Sequence, residues 1–226
     1  MHARWRSRPT RVVLTLLAVM AVAAAIALGL WGTRWTVPRA ATPRAGYLLQ
    51  AAWDGKAIPG GELERPIGIA VGPSGDVYVT DAQLRVVRFN SAGEFLGQWG
   101  REGDGRGEFR NPVGVAVDRD GAVFISDYEQ DRIQKFTPAG EFLLEFGRSG
   151  SRPGEFNAPA GLTVDNAGSL YVADFYNHRI QKFGEDGTFE RVIGHSGRLG
   201  AGALHYPTGV TIAARRELLV ADAYNY

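Results

Sequence analysis

The sequence contains no cysteine. Disulfides, thiolate metal sites, cysteine nucleophiles and a lipidated N-terminal cysteine are therefore excluded. The first 44 residues contain no Asp or Glu but seven arginines, an imbalance hidden in the formal net charge of +1. Residues 45–226 hold the other 18 of the 25 basic residues and all 24 acidic ones, a net of −6. A mildly acidic body argues against nucleic-acid binding, which needs a cationic surface to neutralise phosphates. Histidine is scarce: only His2, His178, His195 and His205. There is no G-x-S-x-G, no G-x-x-x-x-G-K-[ST] and no Gly-rich loop opening a helix. Ser74, Ser91, Ser149 and Ser151 accordingly read as turn residues, and phosphate cradling is not expected.

What is present is globular. The chain is 45% hydrophobic and 11% aromatic, with 30 glycines and 11 prolines scattered along it, which leans toward all-β. One segment stands apart. Val12 to Trp31 runs for twenty residues without a charge; as a helix it spans about 30 Å, the thickness of a bilayer core. The run is longer than a usual cleavable signal core, and Trp31 and Trp35 sit where small residues would aid cleavage and where a membrane interface suits tryptophan. An uncleaved anchor is favoured over a cleaved signal. Arg4, Arg6, Arg8 and Arg11 precede the run and Arg34, Arg39 and Arg44 follow it, a slim bias toward a cytoplasmic N-terminus. The expected organisation is a basic cytoplasmic tail (1–11), a transmembrane helix (12–31), a linker (32–46) and an extracytoplasmic body (47–226).

Internal repetition dominates that body. Four segments align: PIGIAV from Pro66, PVGVAV from Pro112, PAGLTV from Pro159 and PTGVTI from Pro207. Each leads to a second apolar run closing on Asp81, Asp127, Asp174 or Asp222. A third run follows, ending at Phe89, Phe136 and Phe183 (RVVRF, RIQKF, RIQKF), and then a fourth, FLGQW, FLLEF and FERVI. Four short strands a–d joined by tight turns make an antiparallel meander. The small residues of strand a and the rising polarity toward strand d fit radial blades better than a stacked solenoid. The d–a connection repeats as GELERP, GEFRNP, GEFNAP and GALHYP, whose Phe or Leu is expected to plug between blades.

These residues resemble the NHL repeat family of β-propellers. The third repeat carries the pattern most fully, Asp174-Phe-Tyr-Asn177-His178-Arg179-Ile-Gln-Lys-Phe183; the second has Gln130 for Asn, and the first is one residue shorter. The resemblance implies an all-β propeller of four-stranded antiparallel blades. Three blades are complete and others partial, with Tyr47–Trp53 matching a lone strand d and the sequence stopping inside the fourth motif. Members commonly have six blades, so the chain reads as an incomplete arc of a longer protein, with closure by several copies as the lesser reading.

The b–c and d–a loops are expected to share one face. Asp81, Asp127, Asp174, Asp222 and Asn177 recur with the blade and read as structural, the aspartates capping the b–c turn and pairing with Arg132 and Arg179. His178 belongs to the motif and reads as surface. His195 and His205 share a d–a loop and are weak candidates for a metal site completed from elsewhere. Arg101, Arg106, Arg110, Arg148, Arg152 and Arg198, with Tyr128, Phe175, Tyr176 and Tyr224, give this face the Arg-plus-aromatic make-up of a binding hot spot. The inner strand-a positions, where an enzyme would need His, Asp or Glu, are Ile67, Ile69, Val113, Val115, Ala160, Leu162, Thr208 and Val210, and carry no acid or histidine. The favoured reading is a binding module for a protein, peptide or glycan, with no cofactor and no nucleic-acid partner. The alternative is a lyase or lactonase-like hydrolase with Zn or Ca in the channel.

Overall fold

The computed structural model of the chain describes residues 58–213 and 217–225. The run 12–31, the linker 32–46 and the strand read at Tyr47–Trp53 lie outside the described residues. Among the described residues, no helix is long and apolar enough to cross a membrane.

The repeats fold as the meanders expected of them. The first sheet holds β1 (Ile69–Val71), β2 (Val77–Asp81), β3 (Arg85–Phe89) and β4 (Phe95–Trp99). The second holds β5 (Pro112–Val117), β6 (Val123–Asp127), β7 (Arg132–Phe136) and β8 (Phe142–Phe146). The third holds β9 (Pro159–Val164), β10 (Leu170–Asp174), β11 (Arg179–Phe183) and β12 (Phe189–Ile193). The short strands β13 (His195–Ser196) and β14 (Ala203–Leu204) pair in the next loop, and β15 (Pro207–Ile212) pairs with β16 (Leu218–Asp222). These antiparallel four-stranded sheets are propeller blades. Strand b, fully buried in the first two blades, reads VYVTD and VFISD, the β-branched and aromatic residues that suit a central strand.

The P-x-G start of strand a has a packing reason. A Cβ on Gly68 would lie 2.3 Å from the Val113 carbonyl, and one on Gly114 would lie 2.4 Å from the Ala160 carbonyl. On Gly161 it would lie 2.8 Å from the Gly209 Cα. Neighbouring a-strands therefore meet backbone to backbone. In two blades a hydroxyl stitches them together. Thr80 Oγ1 accepts the Gly68 N–H and donates to the Val113 carbonyl, both at 2.9 Å. Ser126 Oγ accepts the Gly114 N–H at 2.8 Å and donates to the Ala160 carbonyl at 2.6 Å. Ala173 holds this place in the third blade.

Apolar cores lie between blades. Tyr78 and Val86 of the first blade pack with Phe109, Val115 and Phe136; Phe124 and Ile133 of the second pack with Phe156, Leu162 and Phe183. The loop residues Phe109 and Phe156 are completely buried, as expected of plugs, each contributing about 2–3 kcal/mol through burial. Val115, Leu162 and Val210 turn into inter-blade cores, against the preceding blade. Ile69, their counterpart in the first blade, is 70% exposed.

Candidate functional site

Each d–a loop closes on itself and docks on the blade it leads into. Phe109 N donates to the Arg101 carbonyl and Phe156 N to the Arg148 carbonyl, both at 2.8 Å. The aspartates then hold the loop's end. Asp127 accepts the Arg110 and Asn111 N–H groups, Asp174 accepts that of Asn157, and Asp222 accepts that of His205. The b–c loops reach the same loops from the other side. Asn177 donates to the Gly150 carbonyl at 2.8 Å, Gln130 to that of Gly103 at 2.7 Å and Asn225 to that of Ala203 at 3.0 Å. Both loop sets thus share one face, as the sequence predicts.

Arg179 pairs with Asp174 at 2.7 Å and also donates to the carbonyls of Ser151, Arg152 and Glu155. Burial pushes the Asp174 carboxyl up, opposed by the Asn157 N–H, Asn177 and Arg179. Arg132 does not pair with Asp127 as expected. Its guanidinium goes to Glu145 at 2.8 Å and to the Gly105 and Glu108 carbonyls. The cause is the neighbour on strand d: Glu145 competes there, whereas Val192 stands at the matching place in the third blade. The first blade keeps the pair, with Arg85 on Asp81 at 3.1 Å. Sequence reasoning missed Gln134 and Gln181, both fully buried. Gln134 accepts the Gly107 N–H and donates to the Glu108 carbonyl; Gln181 does the same with Gly154 and Glu155. A glutamine beside isoleucine in both RIQKF strands was the signal.

Three of the six loop arginines are ion-paired. Arg101 pairs with Glu108 at 2.7 Å, Arg110 with Asp104 at 2.9 Å and Arg148 with Glu155 at 2.9 Å. Glu108 and Glu155 are held below the usual carboxylate range by the backbone N–H groups of Gly105 and Arg152 and then by their arginines. Asp104 is lowered chiefly by Arg110. Arg106 lies 5.2 Å from the Phe142 ring centroid, the Arg152 N–H binds Glu155, and Arg198 is exposed.

The aromatics come together. Ring centroids step 6.1 Å from Tyr128 to Phe175, 5.1 Å to Tyr206 and 5.2 Å to Tyr224, across three blades. Tyr176 packs edge-on against Phe175 at 4.8 Å, and Tyr176 and Tyr224 are 49% and 50% exposed. Burial, then a hydrogen bond with Tyr176, pushes the Tyr128 hydroxyl up. Tyr206 was missed by sequence reasoning, because its pre-proline position is Arg65, Asn111 or Ala158 elsewhere.

His205 meets His178, their rings parallel within 5° at 5.3 Å. Stacked imidazoles aim their lone pairs along parallel planes, which do not converge on one cation. Among the described residues, no three His, Asp or Glu side chains cluster as metal ligands. His195 sits exposed in β13. A cleft of about 720 Å³ lies at the a–b turn end, lined by Asp165, Tyr171, Arg191, Ile193 and Leu218 among others, and none of the expected site residues borders it.

His178 is half-buried in a left-handed conformation at φ 54°, and its Nδ1 accepts the Tyr206 N–H at 3.1 Å. Asp131, in the same conformation one blade earlier, accepts the Ala158 N–H at 2.7 Å. Burial, then His205, lowers the His178 pKa, with Asp222 opposing. A depressed histidine is bound neutral, so its contribution is full above the ordinary value near 6.5 and is lost as pH falls below it toward the lowered folded value. Thermal unfolding between about pH 7.5 and 5 should show this loss in the wild type. His178→Asn, which keeps an acceptor, should show less of it; equal losses would remove His178 as the cause.

The NHL repeat family model matches residues 109–136 and 156–183. The chain carries NHL repeats. They are the second and third blades, each from the plug phenylalanine to the end of strand c. Solved structures share the fold around these NHL repeats. A nidogen/laminin complex structure is 26% identical with a TM-score of 0.56, covering 70% of this chain and 57% of that one. A catalytically inactive virginiamycin B lyase from Staphylococcus aureus with quinupristin is 21% identical with a TM-score of 0.53, covering 70% and 48%. A streptogramin B lyase is 19% identical with a TM-score of 0.56, covering 75% and 51%. The chain thus spans about half the length of these structures. No curated protein matches it in sequence.

Proposed function

We propose that this NHL-repeat chain is a recognition module whose b–c and d–a loop face binds a protein, peptide or glycan. The segment 12–31 holds it at a membrane with the blades outside the cytoplasm. The aromatic strip carries this reading. Asp81, Asp127, Asp174 and Asp222 recur in every repeat and serve the blade. The rings do not recur in every repeat: the first blade has Ala82 where Tyr128 and Phe175 stand, and Gln83 where Tyr176 and Tyr224 stand. Half-exposed rings that the first blade does without are available for a partner, and tyrosine is enriched at interface hot spots. The nidogen/laminin structure, a propeller relative within a protein complex, supports a protein partner.

The test is binding of the full chain, in detergent, to peptide and oligosaccharide arrays. Ligands captured by the wild type should be lost about tenfold or more in Tyr176→Ala/Tyr224→Ala and retained in Leu143→Ala, an exposed strand-d residue. Capture that survives the double substitution would contradict the proposal. The runner-up reading, a metal-dependent lyase or lactonase-like hydrolase, draws its support from the lyases among the similar folds.

A further inference from the structure

We infer that the aromatic strip takes a proline-rich peptide in an extended polyproline conformation, an inference that rests on the loop face being the recognition surface. Three features of the strip select this ligand over others.

First, it offers no backbone edge. The N–H groups of Tyr128, Phe175 and Tyr176 are bonded to the carbonyls of Asn111, Ala158 and Asn157, and those of Ala223 and Tyr224 to Tyr206 and His205. A ligand added as a β-strand needs free N–H and C=O groups in register, and these are occupied. Second, the polar side chains around the strip are already used on the protein's own loops. Asn177, Gln130 and Asn225 hold d–a carbonyls, while Asp131 and His178 hold N–H groups of the next blade. A glycan brings many hydroxyls, each needing a donor or acceptor when desolvated. Proline brings none and lacks an N–H. Its carbonyls need only donors, and among the described residues no hydrogen bond occupies the hydroxyls of Tyr206 and Tyr224. Third, three of the loop-face arginines, Arg101, Arg110 and Arg148, are already paired with Glu108, Asp104 and Glu155, which lessens the pull of this face on an anionic ligand.

The geometry agrees. Polyproline helices have no internal hydrogen bonds and dock on aromatic-lined surfaces at little entropic cost. At about 3.1 Å per residue, the three centroid steps from Tyr128 to Tyr224 accommodate about five residues. The rings are fixed by mutual edge-to-face and tilted packing, Tyr206 touching Phe175, Tyr176 and Tyr224. The platform is therefore rigid before the ligand arrives, which lowers the cost of binding.

Fluorescence anisotropy on the full chain in detergent tests this, with a labelled peptide of Ala-Pro-Pro repeats, an all-alanine control of equal length, and chitohexaose as competitor. The expected result is saturable binding of the proline peptide alone, weakened about tenfold or more by Tyr176→Ala/Tyr224→Ala and not displaced by chitohexaose. If chitohexaose binds the strip and the proline peptide does not, the peptide inference is overturned while the loop-face reading stands. If neither probe binds, the peptide inference is overturned too. If the proline peptide binds equally to the double variant, both fall.

Discussion

Gly114→Ala should destabilise the protein by about 3 kcal/mol or more, measured as the loss in free energy of urea unfolding. The added methyl would sit 2.4 Å from the Ala160 carbonyl and 2.7 Å from Ser126 Oγ. Neither neighbour can yield cheaply. The carbonyl is backbone of the next a-strand, and Ser126 is fixed by the two hydrogen bonds that join the strands. Relief requires the blades to separate, which opens the core containing Phe124, Phe156 and Leu162. Gly97→Ala is the internal control. That position lies in strand β4 with nothing within 4 Å of its would-be Cβ, so the substitution should be neutral or slightly stabilising. Equal effects at the two sites would contradict close approach of the a-strands.

Asp174→Ala should cost about 3–5 kcal/mol, the usual penalty for leaving one partner of a buried pair alone. The carboxylate is completely buried and gathers four donors: the Asn157 N–H, Asn177, Arg179 and Gln181. Its removal strands the Arg179 guanidinium, which also holds three carbonyls of the 148–156 loop. A double-mutant cycle with Arg179→Ala, read by the same unfolding measurement, should show the two losses overlapping strongly. Simple additivity would mean that the two residues act separately.

Much of this fold is legible in the sequence because the physics repeats with the residues. The P-x-G element marks the place where two backbones touch, and it does so at Gly68, Gly114 and Gly161 alike. Phe109 and Phe156 are legible as plugs because an aromatic amid Gly, Glu and Asn has no other shelter. What was not legible depends on single neighbours that break the pattern. Arg132 leaves Asp127 because Glu145, thirteen residues on, lies beside it in the sheet. Tyr206 joins the strip from a position that carries no aromatic in any other repeat. His178 and His205 stack although 27 residues separate them, because the b–c loop of one blade meets the d–a loop leading to the next. Val115, Leu162 and Val210 face the preceding blade; alternation along a strand shows that they share a side but does not show which neighbour covers it.

The central claim is a division of labour, in which the residues common to every repeat hold the blades and the aromatic strip, absent from the first blade, binds. Stability and ligand binding measured on the same variants test it most directly. The account predicts that Tyr176→Ala/Tyr224→Ala keeps the thermal midpoint close to wild type and loses array binding, while Asp174→Ala lowers the midpoint sharply. If the tyrosine pair proved as destabilising as Asp174→Ala, or if it kept full binding, the strip would be structure and not the recognition surface.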